Sequence, residues 1–127
     1  MGTRSGLHTI AGGKAILAHL SDERVDRVVD ERGLEAHTGR TITTRGELEE
    51  MGARVRDQGY ALNWGENIEG WRAVASPVVL EGRLYGAIAV AGPENRFRGG
   101  YFEETLPELV AGTANEVRLQ FRGSGLE

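Results

Sequence analysis

Two runs of alternating apolar residues face each other across a turn between Trp71 and Pro93. This alternation predicts a β-hairpin. We expect a three-residue loop over residues 80–82, with Gly82 in the left-handed conformation, because the resulting register sorts the side chains by size. A two-residue turn of Glu81 and Gly82 would mix alanines with branched residues on both faces.

The three-residue loop pairs Ala75 with Ala87 and gives the hairpin two different faces. One face carries small side chains rimmed by two aromatic rings: Trp71, Ala73, Ala75, Tyr85, Ala87, Ala89 and Ala91. The other carries branched side chains typical of a core: Val74, Val78, Leu84, Ile88 and Val90. The small-residue face allows close packing of a helix or leaves room for a small ligand, and the pattern alone leaves both interpretations open.

Apolar positions at spacings of three and four residues predict helices before the hairpin. The first is mostly buried and covers about residues 11–19. Ser21 caps the second helix. Thr44 and Glu47 form a capping box for the third, which ends at Gly59.

A final helix is predicted over about residues 101–121. Its apolar positions form one broad face: Leu106, Leu109, Val110, Ala114, Val117 and Phe121. A strand over residues 60–64 precedes the hairpin, so the order of elements predicts an α+β fold with an antiparallel sheet. Three strands are few for four helices, which suggests that edge strands are missing or that a partner supplies them.

The composition is that of one globular domain, with 127 residues and a net charge of −4. We expect residues 7–121 to fold, with a flexible start at 1–6 and a flexible tail at 122–127. No run approaches the roughly 20 apolar residues of a membrane span, and the start lacks a signal peptide's apolar core, so we expect a cytoplasmic location and no membrane partner. The absence of cysteine excludes disulfides and thiolate metal sites.

The candidate chemical motifs are weak. Gly12, Gly13 and Lys14 suggest a phosphate loop, but His8 and Ala15 stand where that motif needs glycine and serine or threonine. The small residues still expose backbone N–H groups that can hold an anion, and tight helix packing explains them as well. The histidines are scattered and no serine lies in a nucleophile elbow, so we predict no enzyme activity, no metal and no cofactor.

Four blocks occur in an order that one family shares: HTIAGGKAILAHL, RTITTRGELEEMGARVRDQGYALN, EGWRAVASPV and GAIAVAGPENR. Together they resemble the C-terminal effector-binding domain of the IclR family of transcription regulators, over about residues 7–121. The most specific parts are the glycine–lysine helix start at Gly13 and Lys14, the RxxGYA block at residues 56–61, and the ending at residues 91–93.

The resemblance implies a GAF-like antiparallel sheet flanked by helices, with a pocket for a small organic or aromatic acid. It implies a homo-oligomer, either a dimer or a tetramer. DNA would be contacted only through a winged helix-turn-helix domain that is absent from this chain. The first helix and first strands of the effector-binding domain would be missing as well.

Position by position, the resemblance places the family's pocket donors at the start of the glycine–lysine helix and its polar residue after the GYA block at Asn63. A family cysteine corresponds to Ala73 and two family serines to Ala89 and Ala91, which favours a pocket over packing and disfavours a glyoxylate-sized effector. The predicted effector-binding residues are Ala11, Gly12, Gly13, Asn63, Trp71, Ala73, Tyr85, Ala89 and Ala91. The predicted function is sensing of an organic acid together with oligomerisation; the alternative is an oligomerisation module with no physiological ligand.

Overall fold

The computed structural model describes residues 7–124 and confirms an α+β fold with the predicted order of elements. A 3₁₀ turn, Leu7–Thr9, precedes the first helix, and a π-helical turn, Tyr101–Thr105, precedes the last. The elements are α1 (Ala11–Leu17), α2 (Asp22–Arg32), α3 (Arg45–Gln58), β1 (Ala61–Trp64), β2 (Trp71–Leu80), β3 (Arg83–Pro93) and α4 (Leu106–Ser124). Helix α4 extends to Ser124, into the expected tail, whereas residues 1–6 and 125–127 lie outside the described part.

The sheet is antiparallel with the strand order β1-β2-β3. Leu62 lies opposite Val74, and Ala75 lies opposite Ala89. Strand β2 is therefore central, and among residues 7–124 no further strand pairs with the outer edge of β1 or of β3.

The prediction of a three-residue hairpin loop is wrong. Leu80 pairs with Arg83, and the two turn residues both have positive φ, 51° at Glu81 and 78° at Gly82. Such a two-residue turn matches the right-handed twist of the flanking strands. One extra residue of β3, Tyr85, then forms a β-bulge, because Val79 pairs with Leu84 while Val78 pairs with Gly86.

Between the bulge and the open end of the hairpin, the side chains lie on the faces that were predicted. Ala75 pairs with Ala89 instead of Ala87, and because these two alanines are two residues apart, both lie on the same side of the sheet as Ala75. We call this side the alanine face: Trp71, Ala73, Ala75, Ala87, Ala89 and Ala91. Tyr85 was predicted to belong to it and does not. Its ring contacts Phe121 of α4, with ring centroids 5.1 Å apart, on the opposite side of the sheet.

Helices α1 and α3 form one core with the alanine face, around Ala15, Met51 and Ala75. Helix α4 forms a second core on the other side, around Val74, Phe102 and Val110. The sheet therefore lies between two helical layers. None of the helices within residues 7–124 combines the length and the apolarity needed to cross a membrane.

Two residues predicted to be buried on the α4 side are exposed. Leu109 is 59% exposed and Val90 39% exposed. Leu109 lies about 100° of helix rotation from the centre of the stripe formed by Leu106, Val110 and Ala114, so it flanks the contact with the sheet. Val90 lies on the edge strand β3, where cover by α4 is incomplete.

Side-chain caps fix the starts of α2 and α3, as predicted. The Ser21 hydroxyl accepts from the backbone N–H of Arg24, and the Thr44 hydroxyl accepts from that of Glu47 at 3.2 Å. The Glu47 carboxylate in turn accepts from the N–H of Thr43 at 3.3 Å. These bonds satisfy N–H groups that the first helical turn leaves without partners.

Thr44→Ala is expected to lower the free energy of unfolding by about 1 kcal/mol, because it removes the acceptor at the start of α3. Urea unfolding followed by circular dichroism measures the change. Thr43→Ala is the matched control, since Thr43 is an exposed neighbour that contributes only its backbone N–H to the cap. Equal losses in the two variants would contradict a capping role for Thr44.

Candidate effector-binding site

Three of the predicted site residues form one row across the sheet. Asn63 of β1 lies opposite Ala73 of β2, and Ala73 lies opposite Ala91 of β3. The neighbouring row contains Ala89. Because paired residues of an antiparallel sheet point to the same side, these four side chains share the alanine face. Ala73 is half-buried, whereas Ala89 and Ala91 are exposed.

Asn63 is buried, with 5% of its surface exposed, and connects the sheet to the segment before α1. Its amide nitrogen donates to the carbonyl oxygen of Thr9 at 2.6 Å. Its amide oxygen accepts from the backbone N–H of Glu66 at 2.9 Å. Asn63 therefore lies beside the start of α1, as the pocket hypothesis requires, but both ends of its amide have partners within the protein.

The start of α1 has no side-chain cap. Ile10 occupies the N-cap position in an extended conformation, and the first intrahelical bond runs from Lys14 N–H to Ile10 O at 2.9 Å. The N–H groups of Ala11, Gly12 and Gly13 precede that bond and have no acceptor within the helix. Ala11 and Gly13 are buried, and Gly12 is half-buried.

A buried ion pair that was not predicted from the sequence lies next to Asn63. The Lys14 ammonium donates to Glu66 Oε1 and Oε2 at 2.9 and 3.0 Å and to the carbonyl of Leu62 at 2.7 Å. The two side chains are only 6% and 8% exposed. Burial lowers the pKa of Lys14 from its ordinary value, and the attraction of Glu66 opposes that shift.

One signal in the sequence could have revealed this pair. Lys14 is a charged residue inside an apolar helix, and a buried ammonium needs a counter-charge and acceptors. The identity of the partner was not evident, because Glu66 lies in a loop 52 residues along the chain. Its proximity depends on the tertiary fold.

The connector between α2 and α3 is attached to the same loop. Thr41 Oγ1 donates to the carbonyl of Glu66 at 2.5 Å and accepts from the N–H of Thr38 at 2.9 Å. Thr38 Oγ1 donates to the carbonyl of Gly65 at 2.7 Å. We call Lys14, Thr41, Asn63 and Glu66 the polar network; it joins α1, the connector, β1 and the β1–β2 loop.

The remaining predicted site residues are divided between the two sides of the sheet. Trp71 stands at the open end of the hairpin, opposite Pro93, and is 47% exposed. Tyr85 lies at the other end and on the α4 side, so it does not belong with the alanines.

A cleft of about 510 Å³ lies away from the alanine face. Its lining residues come from the connector, from the β1–β2 loop with the adjoining strand residues, and from the position after β3: Thr38, Gly39, Arg40, Trp64, Gly65, Glu69, Gly70, Arg72 and Glu94. The Arg72 guanidinium stacks over the Trp64 ring at 4.9 Å and donates to the carbonyl of Phe97. The lining thus combines arginines with glutamates, and the arginine that stacks there already has protein partners.

Comparison with known proteins assigns the family. The family model described as "Bacterial transcriptional regulator IclR C-terminal" matches residues 1–118. A probable HTH-type transcriptional regulator ArcR of Halobacterium salinarum is 39% identical over 119 residues, and the transcriptional repressor IclR of Escherichia coli is 32% identical over 124 residues. These matches cover 90% and 97% of this chain, but the chain spans only 44% and 45% of those relatives.

Solved structures show the same fold. The inducer-binding domain of PobR from Acinetobacter, a double mutant in complex with 3-hydroxybenzoic acid, superposes with a TM-score of 0.83 at 30% identity. That match covers 93% of this chain and 68% of the other. The C-terminal domain of E. coli KdgR gives 0.79 at 30% identity and covers 94% and 73%. The chain therefore belongs to the IclR family of bacterial transcriptional regulators and corresponds to its C-terminal, effector-binding domain.

Proposed function

We propose that this chain senses a small organic acid, with aromatic acids as the preferred class, on the exposed part of the alanine face. The observation that carries the proposal is the row of Asn63, Ala73 and Ala91, a methyl-lined floor with one buried amide at its end. Ligand sites typically combine an apolar surface with few polar groups that fix orientation.

The chemistry of this surface suits a flat acid. Methyl groups at Ala73, Ala89 and Ala91 leave more height above the sheet than larger side chains would. An aromatic ring can cover that floor while its carboxylate accepts one hydrogen bond from the Asn63 amide. The solved PobR inducer-binding domain, which carries 3-hydroxybenzoic acid, supports this ligand class by similarity.

The second candidate is assembly without a physiological ligand. Strand β3 spans eleven residues, and its outer edge has no partner strand within residues 7–124. Unpaired strand edges favour association with another chain, and we infer a dimer or tetramer on this basis.

A thermal-shift screen separates the two candidates. A ligand that binds only the folded chain stabilises it by about 2.7 kcal/mol when its concentration is a hundred times the Kd, which raises the Tm by several degrees. The panel contains benzoate, 3-hydroxybenzoate and short 2-oxo acids, and light scattering reports the assembly state. A dimer or tetramer that no acid stabilises would favour assembly alone.

Ala89→Leu is expected to reduce the affinity for a stabilising acid at least tenfold, because leucine fills the space above the floor. Isothermal titration calorimetry measures the Kd. Val90→Leu is the matched control, since the adjacent side chain points to the α4 side of the same strand. If both variants bind as the parent does, the acid does not lie on the alanine face.

A further inference from the structure

We infer that Glu66 is a positioning residue of the effector site: it fixes the Asn63 amide as a hydrogen-bond donor, so that the site selects ligands carrying an acceptor. The inference rests on the proposed function, and it assigns a role to the buried loop that joins β1 to β2. The feature of the ligand that the site recognises is then a carboxylate oxygen rather than a donor group.

Two backbone partners fix the orientation of the Asn63 amide. The backbone N–H of Glu66 is a donor, so it requires the oxygen of Asn63. The carbonyl of Thr9 is an acceptor, so it requires the nitrogen. A flipped amide would oppose donor to donor and acceptor to acceptor at these two contacts, and both bonds would be lost.

The Asn63 side-chain nitrogen carries two hydrogens, and only one has a partner in the described part of the chain. The Thr9 bond uses one of the two hydrogens on Asn63 Nδ2, and among residues 7–124 no acceptor takes the other. A donor hydrogen is therefore the one part of the Asn63 amide that remains for a ligand. Because Asn63 begins the row that continues through Ala73 and Ala91, that donor lies at the end of the methyl-lined floor.

Glu66 is itself held from several directions. Its carboxylate accepts from the Lys14 ammonium and, at 3.2 Å, from the backbone N–H of Trp64. Its carbonyl accepts from Thr41 Oγ1. The N–H that orients Asn63 is therefore anchored to α1 by an ion pair and to the connector by a hydroxyl.

The test compares Glu66→Gln with the wild-type chain. Glutamine keeps the size of the side chain but removes the charge that holds Lys14, which loosens the loop around residue 66. The first readout needs no ligand: hydrogen exchange of the Asn63 side-chain amide, followed by NMR, is expected to accelerate at least tenfold. Glu69→Gln is the matched control, an equal charge change at an exposed position of the same loop, and should leave exchange unchanged.

The second readout is selectivity between 3-hydroxybenzoate and 3-hydroxybenzylamine, whose ammonium group carries hydrogen-bond donors and no acceptor in place of the carboxylate. We expect the wild-type chain to prefer the acid at least tenfold and Glu66→Gln to prefer it less than threefold. A merely structural role would weaken both ligands alike and leave this ratio unchanged. Thr41→Val is the second variant, should Glu66→Gln not fold: it releases the Glu66 carbonyl, retains the ion pair, and is expected to shift both readouts in the same direction by less.

The outcomes separate the two ideas. Unchanged Asn63 exchange and an unchanged selectivity ratio in a folded Glu66→Gln variant would overturn the positioning role while leaving acid binding intact. If the wild-type chain binds neither compound, the proposal of an aromatic-acid effector fails. Hydrogen exchange at Asn63, measured on the ligand-free chain, then still decides whether Glu66 positions the amide.

Discussion

Lys14→Met is expected to lower the free energy of unfolding by about 3–5 kcal/mol, because it leaves the Glu66 carboxylate buried without its counter-charge. The ammonium of Lys14 donates to three acceptors, and no other side chain makes an ion pair with Glu66 within residues 7–124. Urea unfolding, followed by tryptophan fluorescence, measures the loss. The midpoint should decrease while the dependence on denaturant stays constant.

Two further variants test the cause. Lys14→Met combined with Glu66→Gln should recover much of the loss, since neither partner then carries a buried charge. Arg27→Met is the matched surface control: Arg27 pairs with Glu23 at 3.3 Å, but both side chains are largely exposed, so about 0.5 kcal/mol or less is expected. A Lys14 variant no less stable than the Arg27 variant would rule out a stabilising role for the buried pair.

Phe102→Ala is the other large effect that we expect, a loss of about 3–5 kcal/mol through the cavity it creates. Phe102 is fully buried in the π-helical turn before α4. Its ring meets the Trp64 ring edge to face, with centroids 4.8 Å apart, and stacks with Phe97 at 6.1 Å. The residue therefore attaches the start of α4 to the end of β1.

Leu109→Ala is the control for this variant, because Leu109 lies on the same layer of the fold but is mostly exposed. A change within about 0.5 kcal/mol is expected there. Phe102→Ala should also change the fluorescence of the neighbouring Trp64 in the folded state. Equal stability of the two variants would show that the second core does not depend on the aromatic cluster.

The order of elements could be predicted because local signals mark the boundaries. Ser21 and Thr44 cap the helices they precede, and Gly59 ends α3 in the left-handed conformation. The hairpin turn could not be predicted as reliably, since Glu81 followed by Gly82 suits both a two-residue and a three-residue loop. The alanine face was nevertheless correct beyond the bulge, because the true register differs by two residues, and a shift of two keeps every side chain on its side.

The candidate site likewise contains residues that local patterns predict and residues whose positions depend on the tertiary fold. Asn63, Ala73 and Ala91 could be grouped from strand alternation and family resemblance, which are properties of short segments. The ion pair of Lys14 and Glu66 could not, because it joins two segments whose approach depends on how α1 crosses the sheet. Tyr85 was misplaced for a third reason: a bulge reverses the side of a residue without altering the residue pattern.

The bulge at Tyr85 would allow a hairpin that is one residue shorter to keep the same ligand surface. Removing Tyr85 would leave Val79 opposite Leu84 and Val78 opposite Gly86, which is an uninterrupted ladder. A deletion at this point would therefore cost the contact with Phe121 but leave the row through Ala73 and Ala91 in place. The hairpin thus contains a position where a one-residue length change is absorbed before it reaches the ligand surface, and sequence alignments of this domain should tolerate a gap there.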